Sequence, residues 1–198
     1  MNLEEYRTIF AAGSLVVMLI VAAPTLGLIM PFPWGNERFS EFWVLGPNHM
    51  AEDYPFNVRV NESYSVFVGV GNHMGGSSYY SVFVKFRNQT EPLPNATVSE
   101  PSSLPPLYEY RFFVISEGTW EAPLTFKVLA TLHYNDNVFV DHLSINDVVF
   151  SANSSALWDL EHKGFYYQLF LELWLYDAAL QSFQYHNRFV GIWLNMTV

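Results

Sequence analysis

The side chains best suited to acid–base or metal chemistry are six histidines, at positions 49, 73, 133, 142, 162 and 186 of the 198-residue chain. No two of them stand four residues apart, and no His-Glu-x-x-His occurs, so the helical zinc patterns are absent. His133 and His142 flank a predicted turn at Asn135-Asp136, with Asp141 beside them. Two imidazoles facing across a hairpin next to a carboxylate would suit a divalent metal. The favoured reading is plainer: polar residues near a turn, on a solvated face. Asn135, Asp136, Asn137, Asp141, Asn146 and Asp147 offer oxygen donors for calcium, but no EF-hand spacing organises them. No serine lies in Gly-x-Ser-x-Gly, and no Gly-x-Gly-x-x-Gly opens a helix. Val68-Gly69-Val70-Gly71 falls inside a predicted strand, where glycine marks close packing. Cysteine is absent, which excludes disulfides, thiol nucleophiles and Cys-ligated metals. The expectation is a protein without catalysis, without a cofactor and without a metal.

Aromatic residues are the second feature with chemical meaning. Six Trp, twelve Tyr and seventeen Phe exceed the needs of an ordinary core. Aromatic faces stack on sugars and anchor protein interfaces. Tyr79, Phe83, Phe170 and Trp174 alternate with core-type residues and are predicted on outward faces, as an interaction surface for protein partners or glycans. A net charge of −10 argues against nucleic acid as a partner.

Two kinds of segment must carry these residues. Residues 8–36 contain no charge, and the apolar run 9–30 is 22 residues long. At ~1.5 Å per residue it spans about 33 Å, enough for a hydrocarbon layer of ~30 Å. It is longer than a signal-peptide core, and Pro24 follows its best small pair, Ala22-Ala23, so an uncleaved anchor is preferred. Phe32 and Trp34 suit an interfacial belt. The predicted organisation is a short cytoplasmic tail at 1–8, a transmembrane helix at 9–31 in contact with membrane lipid, and an extracellular domain at 32–198. Orientation rests on five Asn-x-Ser/Thr sequons, at Asn61, Asn88, Asn95, Asn153 and Asn195. They are more than chance gives, and all follow the anchor. The expected location is therefore the cell membrane, single-pass, with the N-terminus cytoplasmic.

The remainder reads as all-β. Tyr80, Val82, Val84 and Phe86 share one face, and Ser81, Phe83, Lys85 and Arg87 the other, as in a strand buried on one side. Gly75-Gly76 is predicted to close a hairpin between the runs 66–70 and 80–86, and Asn135-Asp136 one between 124–134 and 138–145. Further strands are expected at 41–45, 108–115, 165–176 and 189–196, with a short helix at 155–162. Residues 89–106 hold five prolines and read as a loop. About eight strands with regular turns point to an immunoglobulin-like antiparallel β-sandwich.

Three elements carry a resemblance: residues 37–47, ending Leu45-Gly46-Pro47; then Ala51-Glu52-Asp53-Tyr54-Pro55; then 66–73, ending Asn72-His73. Gly118-Thr119-Trp120-Glu121 adds a fourth. Together they resemble an archaeal family of membrane proteins built around a domain of unknown function. The resemblance implies N-terminal membrane anchoring and an extracellular β domain. It implies no activity. The chain departs from the family in having one anchor helix and a longer stretch at 129–163. The expected function is an interaction module, an accessory subunit of a membrane or cell-envelope assembly. Glycan binding through exposed aromatics and metal binding through His133 and His142 are the alternatives.

Overall fold

The computed structural model describes residues 3–29 and 37–197. They form two units, divided after Arg38. The first holds helix α1 (Leu3–Ile29), 27 residues long. Among the residues with described side chains, no helix is long and apolar enough to cross a membrane. Phe32 and Trp34, expected at a membrane interface, lie outside the described residues.

The second unit is all-β, with ten strands: β1 (Phe39–Leu45), β2 (Asn57–Val58), β3 (Tyr64–His73), β4 (Ser78–Asn88), β5 (Tyr108–Val114), β6 (Thr119–Tyr134), β7 (Asn137–Ile145), β8 (Val148–Asp159), β9 (Gly164–Asp177) and β10 (Ser182–Met196). One sheet, A, runs β1-β3-β6-β7-β8. The other, B, runs β5-β4-β9-β10-β2. Only the two-residue β2 pairs in parallel, beside Asn195 and Met196. The sheets join at one corner, where Trp158 pairs with Phe165 and Asp159 with Gly164.

Alternation builds the core between the sheets. Val66, Val68 and Val70 of β3, Leu124, Phe126 and Val128 of β6, and Val138 and Val140 of β7 point inward from sheet A. Tyr80, Val82 and Val84 of β4, with Leu169, Leu171 and Leu173 of β9, meet them from sheet B. Asn135 turns β6 into β7 at positive φ, and Asn146-Asp147 turns β7 into β8 the same way, as tight hairpins require.

Three expectations need correcting. Residues 155–162 are not a helix. Strand β8 runs to Asp159, because its backbone completes the ladder to β7 through Leu157. Gly75-Gly76 does not close a hairpin. β3 and β4 lie in different sheets, so this turn is an arch from A to B. The third correction is that β4 is buried on both faces. Ser81, Lys85 and Arg87 are buried along with Tyr80, Val82 and Val84.

The arch is held by Asn72, which is fully buried. Its Nδ2 donates to the carbonyls of Gly76 and Val114, each at 2.8 Å. Its Oδ1 accepts from the Met74 backbone N–H at 3.0 Å and the Tyr80 hydroxyl at 3.1 Å. Its own backbone N–H donates to Gly118. One side chain thus ties the β3–β4 arch to the β5–β6 arch, a fold-specifying role.

Candidate functional site

The ladder registers place the outward side chains of sheet B in rows across the strands. The first row is aromatic throughout: Phe113, Tyr79, Tyr176 and Phe183. Tyr79 stacks on Phe113 at 4.2 Å and meets Phe183 at 5.0 Å, and Tyr176 meets Phe183 at 5.4 Å. Phe113 is 74% exposed. Arg111 lies over the Phe183 ring at 5.4 Å. Its guanidinium is held by Glu109, at 2.5 and 3.0 Å. That fork, with the Ser81 hydroxyl, outweighs burial and keeps the Glu109 carboxyl below its ordinary pKa.

The middle rows are covered. Phe83, Trp174 and Tyr185 form a half-buried aromatic step, with ring distances of 5.1 and 5.8 Å. Beneath the proline-rich loop at 89–106, Lys85 Nζ sits 2.9 Å from Glu172 Oε2, both side chains nearly inaccessible. Each also grips the loop at one residue. Lys85 donates to the Ser102 carbonyl at 2.8 Å, and Glu172 Oε1 accepts the Ser102 backbone N–H at 2.8 Å. The loop is anchored at its tip where Asn187 donates to the Ala96 carbonyl at 3.2 Å. Asn187 belongs to a bulge in β10, beside the register shift between Tyr185 and Arg188. The Tyr185 hydroxyl is buried without a partner among the described residues, and burial pushes its pKa up to about 12.

The last rows open again into a cleft of 460 Å³, lined by Phe56, Gln89, Asp159, His162, Tyr166 and Trp193. Asp159 caps the β8–β9 turn. Its Oδ1 accepts the backbone N–H groups of Glu161 and His162, both at 2.9 Å. Its Oδ2 meets His162 Nδ1 at 3.0 Å and Gln89 Nε2 at 3.2 Å. These bonds, His162's foremost, lower the Asp159 pKa, and the same contact raises that of His162. Arg87 lies over Trp193 at 5.5 Å while its nitrogens hold Gln168 and the carbonyls of Gln89 and Glu91.

These rows test the candidate residues directly. Tyr79 is at the centre of the aromatic row and half-buried there, beside the exposed Phe113 and Tyr176. Phe83 and Trp174 are half-buried in the step below it. Phe170 lies on the outward face as expected, paired with Lys85, but it is fully buried and offers no open surface. Its ladder partner on β10 is Gly191, where a Cβ would come within 2.8 Å of the Phe170 Cβ. His133 and His142 do not face each other. His133 pairs with Val138, and His142 with Ala130, past a bulge. His142 instead contacts Asp141 at 2.9 Å. Among the described residues, no group of three His, Cys, Asp or Glu side chains is placed to hold a metal ion.

The sequons divide by geometry. Asn61, Asn95 and Asn153 are exposed. The amide of Asn88 donates to Ser155 at 2.8 Å, and that of Asn195 to Asn57 at 3.0 Å, so both nitrogens are already engaged. Sequence reading missed the cleft, whose residues come from four separate segments. It also missed a buried relay in which Ser40 Oγ lies 3.0 Å from His186 Nε2 and 2.7 Å from the Tyr80 hydroxyl. Ser40 is only 2% exposed, so this serine–histidine contact joins strands beneath the surface.

The model of the family described as domain of unknown function (DUF1616) matches residues 33–139. The chain belongs to this family. The match contains all four elements that carried the resemblance and concerns the domain alone, not source or anchoring. No curated protein matches. Among solved structures, the chain is similar to the CARDB domain of the PF1109 protein from Pyrococcus furiosus, solved in complex with di-metal ions. Identity there is 9%, coverage 81% of this chain and 89% of that one, and the TM-score 0.39. It is also similar to the human seminal-plasma complex of zinc 2-glycoprotein and prolactin inducible protein, at 8% identity, 83% and 99% coverage, and a TM-score of 0.39. A Listeria innocua β-glucosidase in complex with glucose matches at 6% identity and a TM-score of 0.37; the match covers 82% of this chain and 16% of the enzyme.

Proposed function

We propose that this chain is a membrane-tethered interaction module without catalysis, an accessory subunit of a membrane or cell-envelope assembly. Residues 9–31 serve as a single-pass anchor with the N-terminus cytoplasmic, and an immunoglobulin-like sandwich stands outside. The observation that carries the reading is the open row of Phe113, Tyr79, Tyr176 and Phe183 with Arg111 at its edge. Aromatic side chains and arginine supply most of the energy at protein interfaces, and an uncovered row of them costs solubility unless a partner covers it. The anchor rests on the uncharged run of residues 8–36 in the sequence, whose apolar core at 9–30 is long enough to cross a hydrocarbon layer. Glycans at Asn61, Asn95 and Asn153 fit the same outward location, since these three sequons are exposed.

The test is purification of the full chain from its source membranes in mild detergent, with mass spectrometry of what stays bound. The wild type retains a stoichiometric membrane or envelope protein. The variant Phe113→Asp loses it. Leu132→Asp, at an exposed position near the tip of the β6–β7 hairpin, keeps it. A lone protein, or a partner indifferent to Phe113, removes the subunit reading.

A further inference from the structure

The cleft at the opposite end of the face has a different character from the aromatic row, and the inference from it does not depend on the partner reading. Three aromatic rings line it. Phe56 and Tyr166 lie 6.0 Å apart at 36°, and Trp193 is 41% exposed. Polar groups stand among the rings. Asp159 fixes His162 through Nδ1 and Gln89 through Nε2, which leaves His162 Nε2 and Gln89 Oε1 without partners among the described residues. The Trp193 indole N–H is likewise without one.

The charges in the cleft are already paired. Both Asp159 oxygens are saturated by the turn, His162 and Gln89, so the carboxylate has little left for a cationic ligand. The Arg87 guanidinium behind Trp193 is spent on Gln168 and the carbonyls of Gln89 and Glu91, and His162 is paired with Asp159, so an anionic ligand finds no unpaired cation there. A wholly apolar ligand would strand the His162 and Gln89 groups without hydrogen bonds. What remains is an uncharged molecule with C–H faces for the rings and hydroxyls for the polar groups. The cleft volume of 460 Å³ falls within the ~300–1,000 Å³ of small-ligand sites. The cleft shares Phe56 and Trp193 with a neighbouring groove of 750 Å³ that Trp43 and Tyr54 also line, so an extended ligand has aromatic surface to continue along.

We propose that this cleft binds a neutral oligosaccharide, with Trp193 and Tyr166 as stacking platforms and His162 and Gln89 as hydroxyl partners. The test uses the full chain in detergent and a panel of neutral hexasaccharides of glucose, mannose, galactose and N-acetylglucosamine, with a galacturonate hexamer as the anionic control. Binding is read by titration calorimetry and by quenching of tryptophan emission. At least one neutral sugar binds, and Trp193→Ala weakens it about tenfold or more. Gln89→Ala and Phe56→Ala, at half-buried and exposed positions, weaken it several-fold with the fold intact, which keeps the test decisive if Trp193→Ala misfolds. Phe113→Asp binds as the wild type does. No binding of any neutral hexasaccharide at millimolar concentration, binding of the galacturonate alone, or affinity unchanged by all three cleft variants overturns the proposal.

Discussion

The outer faces of the two sheets start from the same strand alternation and end in different states. On sheet A the outward positions of β3 and β6 include Ser65, Phe67, Gly69, Gly71, Thr125 and Lys127, and of these only the two glycines are buried, Gly69 beneath the Trp43 indole and Gly71 beneath Glu41. A Cβ at Gly69 would fall 2.2 Å from that ring. On sheet B the corresponding layer becomes a second, smaller core, with Lys85, Arg87, Gln168, Phe170 and Glu172 all buried. The difference is the loop at 89–106. It has no ladder of its own to either sheet. It is instead held at Ser102 by a buried ion pair and at Ala96 by Asn187. A polar, outward-facing residue is therefore not a solvated one when a loop is docked over it. Charges so covered must be paired, and here they are.

The largest expected effect breaks that pairing. Glu172→Ala leaves Lys85 buried without its counter-ion and the Ser102 N–H without an acceptor. A loss of about 3–5 kcal/mol is expected in urea denaturation of the full chain. The double variant Lys85→Met, Glu172→Leu recovers much of this. What it does not recover measures the two backbone groups of Ser102 and the Trp174 indole N–H, which donates to Glu172 at 3.2 Å, and a double variant as unstable as the single one would show that the ion pair itself supplies the stability.

Asn72→Ala follows in size. It strips several hydrogen bonds from the two arches and leaves the Val114 carbonyl buried, for an expected cost of about 2–3 kcal/mol by the same measurement. Tyr185→Phe has the opposite sign. Its hydroxyl is buried and unpartnered, so removing it should raise stability by about 1 kcal/mol; a loss instead would reveal an ordered water under the loop. On sheet A, Lys127→Ala and Thr131→Ala should each stay within about 0.5 kcal/mol of the wild type. A cost there comparable to that at Glu172 would abolish the contrast between the faces.

The smallest effects are in pH. Burial lowers the His186 pKa, with Arg188 adding to the shift. The unfolded chain then holds the proton more tightly, so stability falls as pH drops below the ordinary imidazole value of ~6.5 toward the folded pKa. His73, bonded to Glu117 at 2.6 Å, has its pKa raised. Its contribution is present below ~6.5 and is lost as pH rises through the folded pKa. Urea midpoints between pH 5 and 8 should therefore gain in the acid range from His186→Asn, while His73→Gln should remove stability only there. Equal pH profiles for both variants and the wild type would contradict these assignments.

Strand type was legible wherever alternation was strong. The expected runs at 41–45, 80–86, 124–134, 138–145 and 165–176 fall within strands, and that at 108–115 overruns β5 by one residue, because period-two patterning commits a segment whatever its neighbours. It fails at 155–162. There Leu157 and Leu160 carry helical spacing, but the unsatisfied edge of β7 recruits the backbone. The candidate site was legible in part. Tyr79 was found from alternation, whereas Phe113, Tyr176 and Phe183 join it only through three separate ladder registers. The cleft residues lie too far apart in the chain for any local signal.

What the sequence determined by itself was local: strand or helix from periodicity, turns from Asn and Asp at positive φ, the uncharged run of 8–36 from composition, and the absence of thiol chemistry from the absence of cysteine. What the tertiary structure decided was which strands share a sheet, that Gly75-Gly76 spans two sheets instead of folding a hairpin, and which outward residues are covered. The physical reason is that alternation specifies a face and not what packs on that face. Pairing partners and docked loops are fixed by contacts between residues remote in sequence, and those contacts separate the buried Glu172 from the exposed Phe113 on one and the same surface.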